Sequence, residues 1–130
     1  MTVPEESLAA AARLFDTVQH GDLDLLGEIF AEDAQVWHNT DNGLTDIPTT
    51  ISNLKTIRET ATIFSYEDIR RTATQDGFVQ QHTLVVQQPG GPRIEDRACC
   101  VCTVKNGRIC RMDAYHDSAA TGAMAHKSPG

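Results

Sequence analysis

The sequence contains no apolar run that approaches the roughly 20 residues of a membrane-spanning helix. It also lacks a basic region ahead of an apolar stretch, the pattern of a secretory signal, because Glu5 and Glu6 lie near its start. Its hydrophobic content of 40% and mean hydropathy of -0.32 are ordinary for a globular chain. We therefore expect a cytoplasmic protein that has no membrane partner.

Basic residues are scarce and scattered. The 11 Lys and Arg are outnumbered by 18 Asp and Glu, which gives a formal net charge of -7, and the only basic cluster is the pair Arg70 and Arg71. Proteins that bind the phosphate backbone usually carry a clustered basic surface. We therefore expect no nucleic-acid partner.

Metal-ligand motifs are also missing. The four cysteines, Cys99, Cys100, Cys102 and Cys110, do not form the two separated CxxC pairs of a zinc site, and the histidines form no HxH or HxxxH pair. We expect free thiols, which pack as small apolar residues, because a disulfide is unusual in a reducing compartment. The sequence predicts no metal and no other cofactor.

A chain of 130 residues fits one domain, which we place at residues 1–117, with a loosely held tail at 118–130. Capping residues and apolar residues at helical spacing predict three helices. The first begins at Pro4 and ends at Gly21, the second runs from an N-cap at Asp22 to Asp33, and the third begins at Asp46 and ends near Ala61.

Strand patterns dominate the rest of the chain. A short strand is predicted at Ala34–Asn39, followed by turn chemistry at Thr40–Gly43. Four longer runs rich in Val, Ile, Thr and aromatics predict strands joined by hairpins, at Ile63–Thr74, Phe78–Gln88, Arg93–Val104 and Arg108–His116. Helices first and an antiparallel meander afterwards is an α+β arrangement, in which a bent sheet buries one face against the helices and can enclose a pocket.

The order of elements and two segments carry a family resemblance. LFDTVQHGDLDLLGEIFAEDAQVWHN near the start and NGRICRMDAYHD near the end resemble the SnoaL-like branch of the nuclear transport factor 2-like superfamily, which includes ketosteroid isomerases. The resemblance implies a cone-shaped fold in which three N-terminal helices pack on a strongly curved antiparallel sheet around a deep pocket, often in a homodimer. Relatives range from isomerases, dehydratases, cyclases and epoxide hydrolases to proteins with no chemistry, so the fold alone does not choose.

The resemblance also implies positions for site residues. AEDAQVWHN is similar to the stretch in which ketosteroid isomerases carry an aspartate base, and His38 falls at that position. The oxyanion donor of those enzymes falls on the penultimate strand, where counting back from the Asn106-Gly107 turn gives Cys99.

A second segment, RMDAYHD, resembles the final strand of the same enzymes. That match implies that Met112, Ala114 and His116 face the pocket, and that Asp113 and Tyr115 point outward. Limonene epoxide hydrolases use an Asp, Arg, Asp set on the last two strands, and their final aspartate corresponds to Ala114 here. A hydrolase of this type therefore requires the strand register to shift by one residue, so that Asp113 takes the position of that aspartate.

The histidines supply the candidate chemistry. His38 titrates near neutral pH and can act as a general base, with His116 or His82 as a second imidazole. Asp41 can orient His38 by accepting its second ring proton, or can form a plain Asx turn. In the structural alternative, His38 ends its strand, His116 and His82 make structural hydrogen bonds, and Trp37 is a pocket wall or core residue.

These patterns lead to two hypotheses of different classes. The first is a cofactor-free enzyme that acts on a small, mostly apolar carbonyl or hydroxy compound by general acid–base catalysis. Its catalytic residues are His38, His116, His82 and Asp41, and its substrate contacts are Trp37, Met112, Ala114 and Cys99. The second is a non-catalytic ligand-binding or dimerisation module of the same fold.

Overall fold

Three helices lie in the N-terminal half of the chain in the computed structural model, which describes residues 2–120. They are α1 (Val3–His20), α2 (Leu26–Ile29), which follows one 3-10 turn at Leu23–Leu25, and α3 (Ile47–Thr60). None of these helices is long and apolar enough to cross a bilayer. The expected tail at 118–130 lies almost wholly outside the described residues.

Side-chain caps fix where the helices begin. The Oγ1 of Thr2 accepts the backbone N–H of Glu5 at the start of α1, and Asp22 and Asp46 accept the N–H groups of Asp24 and Thr49 in the same way. Each cap satisfies a backbone donor that has no partner inside its helix. Asp22 and Asp46 are the starts that the sequence predicts.

Helix α1 lies against the sheet through one apolar face. Leu14, Phe15 and Val18 are buried on it, and the ring of Phe15 contacts Tyr66 and Phe78 edge-on. Burying a side chain of this size contributes about 1.5–3 kcal/mol. This face therefore holds the helical layer over the inner surface of the sheet.

Six strands form one sheet in the order β2-β1-β6-β5-β4-β3. Their bounds are β1 (Phe30–His38), β2 (Gly43–Asp46), β3 (Ile63–Ala73), β4 (Gly77–Gln87), β5 (Arg93–Lys105) and β6 (Arg108–Tyr115). Strands β3 to β6 form the antiparallel meander that the sequence predicts.

The beginning of the sheet departs from the sequence prediction. Strand β1 starts at Phe30, where a helix was expected, and it pairs parallel with β6, which makes the sheet mixed. The short β2 was not predicted, because its four residues are only half-buried or exposed and carry no apolar alternation. Strands β1 and β6 are thus neighbours although they lie at opposite ends of the domain.

A bulge in β6 sets which side chains face inward. Lys105 pairs with Arg108 and Val104 with Ile109, but Thr103 pairs with Arg111, so Cys110 is an extra residue. Such a bulge moves every later pairing by one position.

Candidate functional site

A cavity of about 300 Å³ lies between the helices and the inner face of the sheet. Its walls are mostly apolar, with Leu14, Phe15, Leu54 and Met112 among them. Its polar lining includes His38, His82, Asp96 and His116, which belong to or directly follow the adjacent strands β1, β4, β5 and β6. The cavity therefore concentrates titratable groups on one wall.

Three of these groups form a continuous hydrogen-bonded chain. His116 Nδ1 lies 2.7 Å from Asp96 Oδ2, and His116 Nε2 lies 3.2 Å from His38 Nδ1. A carboxylate only accepts, so His116 Nδ1–H donates to Asp96, and Nε2 of a neutral His116 then accepts from His38 Nδ1–H. The remaining nitrogen of His38, Nε2, is left with its lone pair.

The ends of β1 and β6 are locked together next to this chain. Asn39 Oδ1 accepts the backbone N–H of His116 at 2.7 Å, and Asn39 Nδ2 donates to the carbonyl of His116 at 3.2 Å. The backbone N–H of Asn39 also donates to the carbonyl of Ala114. These bonds hold His116 where β6 has already ended.

Burial keeps His38 in its basic form. Desolvation is the main cause that lowers its pKa, the neighbouring His116 lowers it further, and the charge of Asp41 opposes both. A lowered pKa leaves the imidazole neutral at pH 7, which is the state that accepts a proton.

His82 lies on the inner face of β4, as the alternation of that strand predicts. It is 6% exposed, its Nδ1 is 2.9 Å from Gln80 Nε2, and Gln80 Oε1 accepts from Arg71 Nε at 2.7 Å. Desolvation lowers the pKa of His82 to about 4. This histidine is therefore neutral at physiological pH.

Met112 and Ala114 line the cavity, whereas Trp37 and Cys99 do not. The indole Nε1 of Trp37 donates to Asn42, and its ring contacts Tyr115 edge-on.

The placement of Cys99 is corrected by the bulge in β6. Without the extra residue, counting from the turn would pair Ala114 with Cys99, but the actual partner is Cys100, and Cys100 lines the cavity. All four cysteines are free, as expected, and burial raises the pKa of Cys100 to about 12.

Asp41 in the loop and Asp113 on β6 both hydrogen-bond to groups other than the histidine rings. Asp41 Oδ1 accepts the backbone N–H of Gly43 at 2.9 Å, which is the Asx turn that was the alternative to orienting His38. Asp113 accepts from Arg111 Nε at 2.7 Å and does not line the cavity. The register shift that a limonene-type carboxylate set requires is therefore absent.

Asp96, the carboxylate of the hydrogen-bonded chain with His116 and His38, was not among the candidate residues predicted from the sequence. The signal was present, since Ile94, Ala98, Cys100 and Cys102 alternate as the buried face of β5 and Asp96 falls on that face. A charge on an apolar face is rarely buried unless it has partners. Such a residue is a reason to look for a histidine across the sheet.

Within residues 2–120, no group of three or more His, Cys, Asp or Glu is placed to hold a metal ion. The acid–base chain itself has one carboxylate and two imidazoles linked end to end rather than converging on a point.

The architecture is that of the nuclear transport factor 2-like α+β fold, with its helices packed on one face of a curved sheet. The chain belongs to the SnoaL-like domain family, whose profile matches residues 11–112. No curated protein matches the sequence.

Solved structures share the fold at low sequence identity. Bal32a, from a soil-derived mobile gene cassette, superposes with a TM-score of 0.78 at 20% identity, over 91% of this chain and 95% of that one. A candidate SnoaL-like polyketide cyclase from Jannaschia sp. CCS1 gives 0.77 at 19%, over 99% and 97%. An epoxide hydrolase of the LEH-like type from M. tuberculosis gives 0.73 at 19%, over 96% and 93%.

Proposed function

We propose that this protein is a cofactor-independent acid–base enzyme that removes a proton from a small, mostly apolar substrate. The observation that carries the proposal is the chain from Asp96 through His116 to His38, which ends at an apolar cavity. The lone pair on His38 Nε2 accepts the proton.

The chain supplies what a general base needs. When His38 takes up a proton, the positive charge lies next to His116, whose opposite nitrogen is bonded to the negative Asp96. A base of this kind contributes about 10²–10⁴-fold to a rate. Isomerisation, dehydration and cyclisation all begin with such a step, so they are the reaction types that this site suits.

Two further expectations are part of the proposal. The substrate contacts would come from Met112, Ala114 and the apolar walls, and the protein would form a homodimer through the outer face of the sheet. That face carries Val101 and Tyr115, which are 41% and 45% exposed.

Deuterium exchange tests the proposal. Ketones of steroid-like, terpenoid and aromatic polyketide type would be incubated with the protein in D₂O, and exchange next to the carbonyl followed by NMR. We expect exchange with the wild type and background rates with His38→Ala. His20→Ala, which changes an exposed histidine of α1, is the matched control.

Equal exchange by the wild type and His38→Ala would contradict the enzyme hypothesis. Binding of a ketone without any catalysed exchange would instead favour the non-catalytic ligand-binding module.

A further inference from the structure

A second line of polar side chains, of which Gln80 and His82 are buried, reaches the cavity from the β3 edge of the sheet. It runs from Arg71 on β3 through Gln80 to His82 on β4, with contacts of 2.7 Å and 2.9 Å. Gln80 is 0% exposed, so water cannot replace either partner. The acid–base chain does not include these residues.

Donor and acceptor chemistry fixes the direction of this line. An arginine side chain only donates, so the oxygen of the Gln80 amide must face Arg71. The amide NH₂ then faces His82 Nδ1, and because an NH₂ group only donates, Nδ1 must accept. A neutral His82 therefore carries its proton on Nε2.

The Nε2 atom has no protein partner among residues 2–120. In that part of the chain, Ser7 Oγ is the only fully buried side-chain oxygen or nitrogen that lacks a hydrogen bond. Because His82 Nε2 also lacks one, this atom must retain some accessible surface. The rings of Phe15 and Tyr66 contact the imidazole edge-on, with centroids 5.3 Å and 4.7 Å away. Two aromatic rings thus flank the imidazole of His82, which lines the cavity.

The charges around His82 favour its neutral form. Burial lowers the pKa most, Asp96 acts in the opposite direction, and both His116 and Arg71 lower it further. A neutral imidazole offers one directed hydrogen bond and no net charge. An acceptor that becomes negative during a reaction is the partner that gains most from such a fixed donor.

We propose that His82 donates its Nε2–H to the carbonyl oxygen of a ketone ligand, in the tautomer that Arg71 fixes through Gln80. The catalytic consequence rests on the proposed function, whereas ketone binding does not. In that step a C–H bond next to the carbonyl breaks, its proton goes to His38 Nε2, and the electron pair moves to the oxygen. The resulting enolate oxygen keeps the hydrogen bond from His82.

The tautomer is measured first, by histidine-resolved ¹⁵N NMR on the ligand-free protein. We expect a protonated Nε2 and an unprotonated Nδ1 for His82 at pH 7. Gln80→Glu places a carboxylate of the same shape between Arg71 and His82. It should draw the proton to Nδ1, while Gln81→Glu on the outer face should leave the tautomer unchanged.

Ligand binding is measured second, with 1-indanone and with indane, which has the same rings but no oxygen. We expect indanone to shift the Nε2–H signal of His82 and to bind about fivefold to tenfold more tightly than indane, the value of one net hydrogen bond. His82→Phe should remove that preference, whereas His20→Phe should keep it.

Each measurement can overturn the proposal without reference to catalysis. A His82 proton on Nδ1 in the wild type would refute the fixed tautomer. Indanone that does not bind, or binds no better than indane, would refute the ketone assignment. If the wild type shows no His38-dependent deuterium exchange but still binds indanone more tightly than indane, the proposed function alone is refuted.

Discussion

Asp96 Oδ2 on β5 lies 2.7 Å from Nδ1 of His116, the residue that directly follows β6. The other carboxylate oxygen of Asp96 accepts the backbone N–H of Asp117 at 2.8 Å. Both oxygens are committed, so the carboxylate cannot rotate without losing a hydrogen bond. The orientation of His116, and through it that of His38, therefore depends on Asp96.

Asp96→Asn should impair proton removal. In asparagine an NH₂ group replaces one of the two oxygens, so either His116 Nδ1–H or the Asp117 N–H faces a donor instead of an acceptor. The negative charge that stabilises a protonated histidine is also lost. We expect ketone exchange to fall by about 10²–10⁴-fold. Asp76→Asn, in the β3–β4 turn, is the control, and unchanged exchange in Asp96→Asn would show that the carboxylate has no role.

The rate of proton exchange should depend on pH through His38. Because its pKa is lowered, kcat/KM should stay high below pH 6.5 and fall only at more acidic pH. Asp41 is the charge that opposes this lowering, so Asp41→Asn should move the acidic limb to still lower pH. A pH–rate profile of the two proteins checks the direction, and a limb that moves upward would contradict it.

Stability should depend on pH through His82. Its pKa is about 4 in the folded protein and near 6.5 in the unfolded chain, so the unfolded chain binds more protons between these values. The free energy of unfolding is therefore highest above pH 6.5, and it falls by about 3 kcal/mol as the pH drops towards 4. Urea unfolding at several pH values should show a flatter dependence for His82→Gln than for the wild type; equal slopes would refute the assignment.

Arg108 joins the start of β6 to the end of α2. Its guanidinium donates to the carbonyl oxygens of Gly27, Glu28 and Phe30 at 3.0, 3.1 and 2.7 Å. We expect Arg108→Met to lower the free energy of unfolding by about 1–3 kcal/mol, because carbonyl groups lose charged donors. Arg97→Met, at an exposed arginine of β5, should change it little in the same denaturation experiment.

The proposed homodimer can be tested on the outer face of the sheet. Val101→Glu would place a charge among exposed apolar groups there, and sedimentation should show a shift to monomer. Leu25→Glu, on the helical side, has similar exposure and should leave the assembly unchanged. A wild type that sediments as a monomer would refute the dimer.

Local signals in the sequence were enough for most of the fold. Caps such as Asp22 and Asp46, and the Asn106-Gly107 turn, predict elements because their physical effect acts within a few residues. The predicted fold and family are confirmed.

The site was harder to predict because it depends on register between distant segments. The extra residue Cys110 makes Cys100 rather than Cys99 the partner of Ala114, and no periodicity within β5 reveals a bulge in β6. The contact of Asp96 with His116 likewise requires the pairing of two strands. By contrast, His38, His82 and His116 were identified as candidates because imidazole chemistry is visible in any single sequence.

The parallel pairing of β1 with β6 also has a consequence for how the chain folds. His38 and His116 are 78 positions apart, and Asn39 and His116 are 77 apart. Contacts between such distant segments close large loops and form slowly. During synthesis the segments of the helices and of the first five strands are made before β6 and the residues that follow it. The acid–base chain is therefore assembled only when the last strand docks, so an incomplete product can have most of its fold but no base.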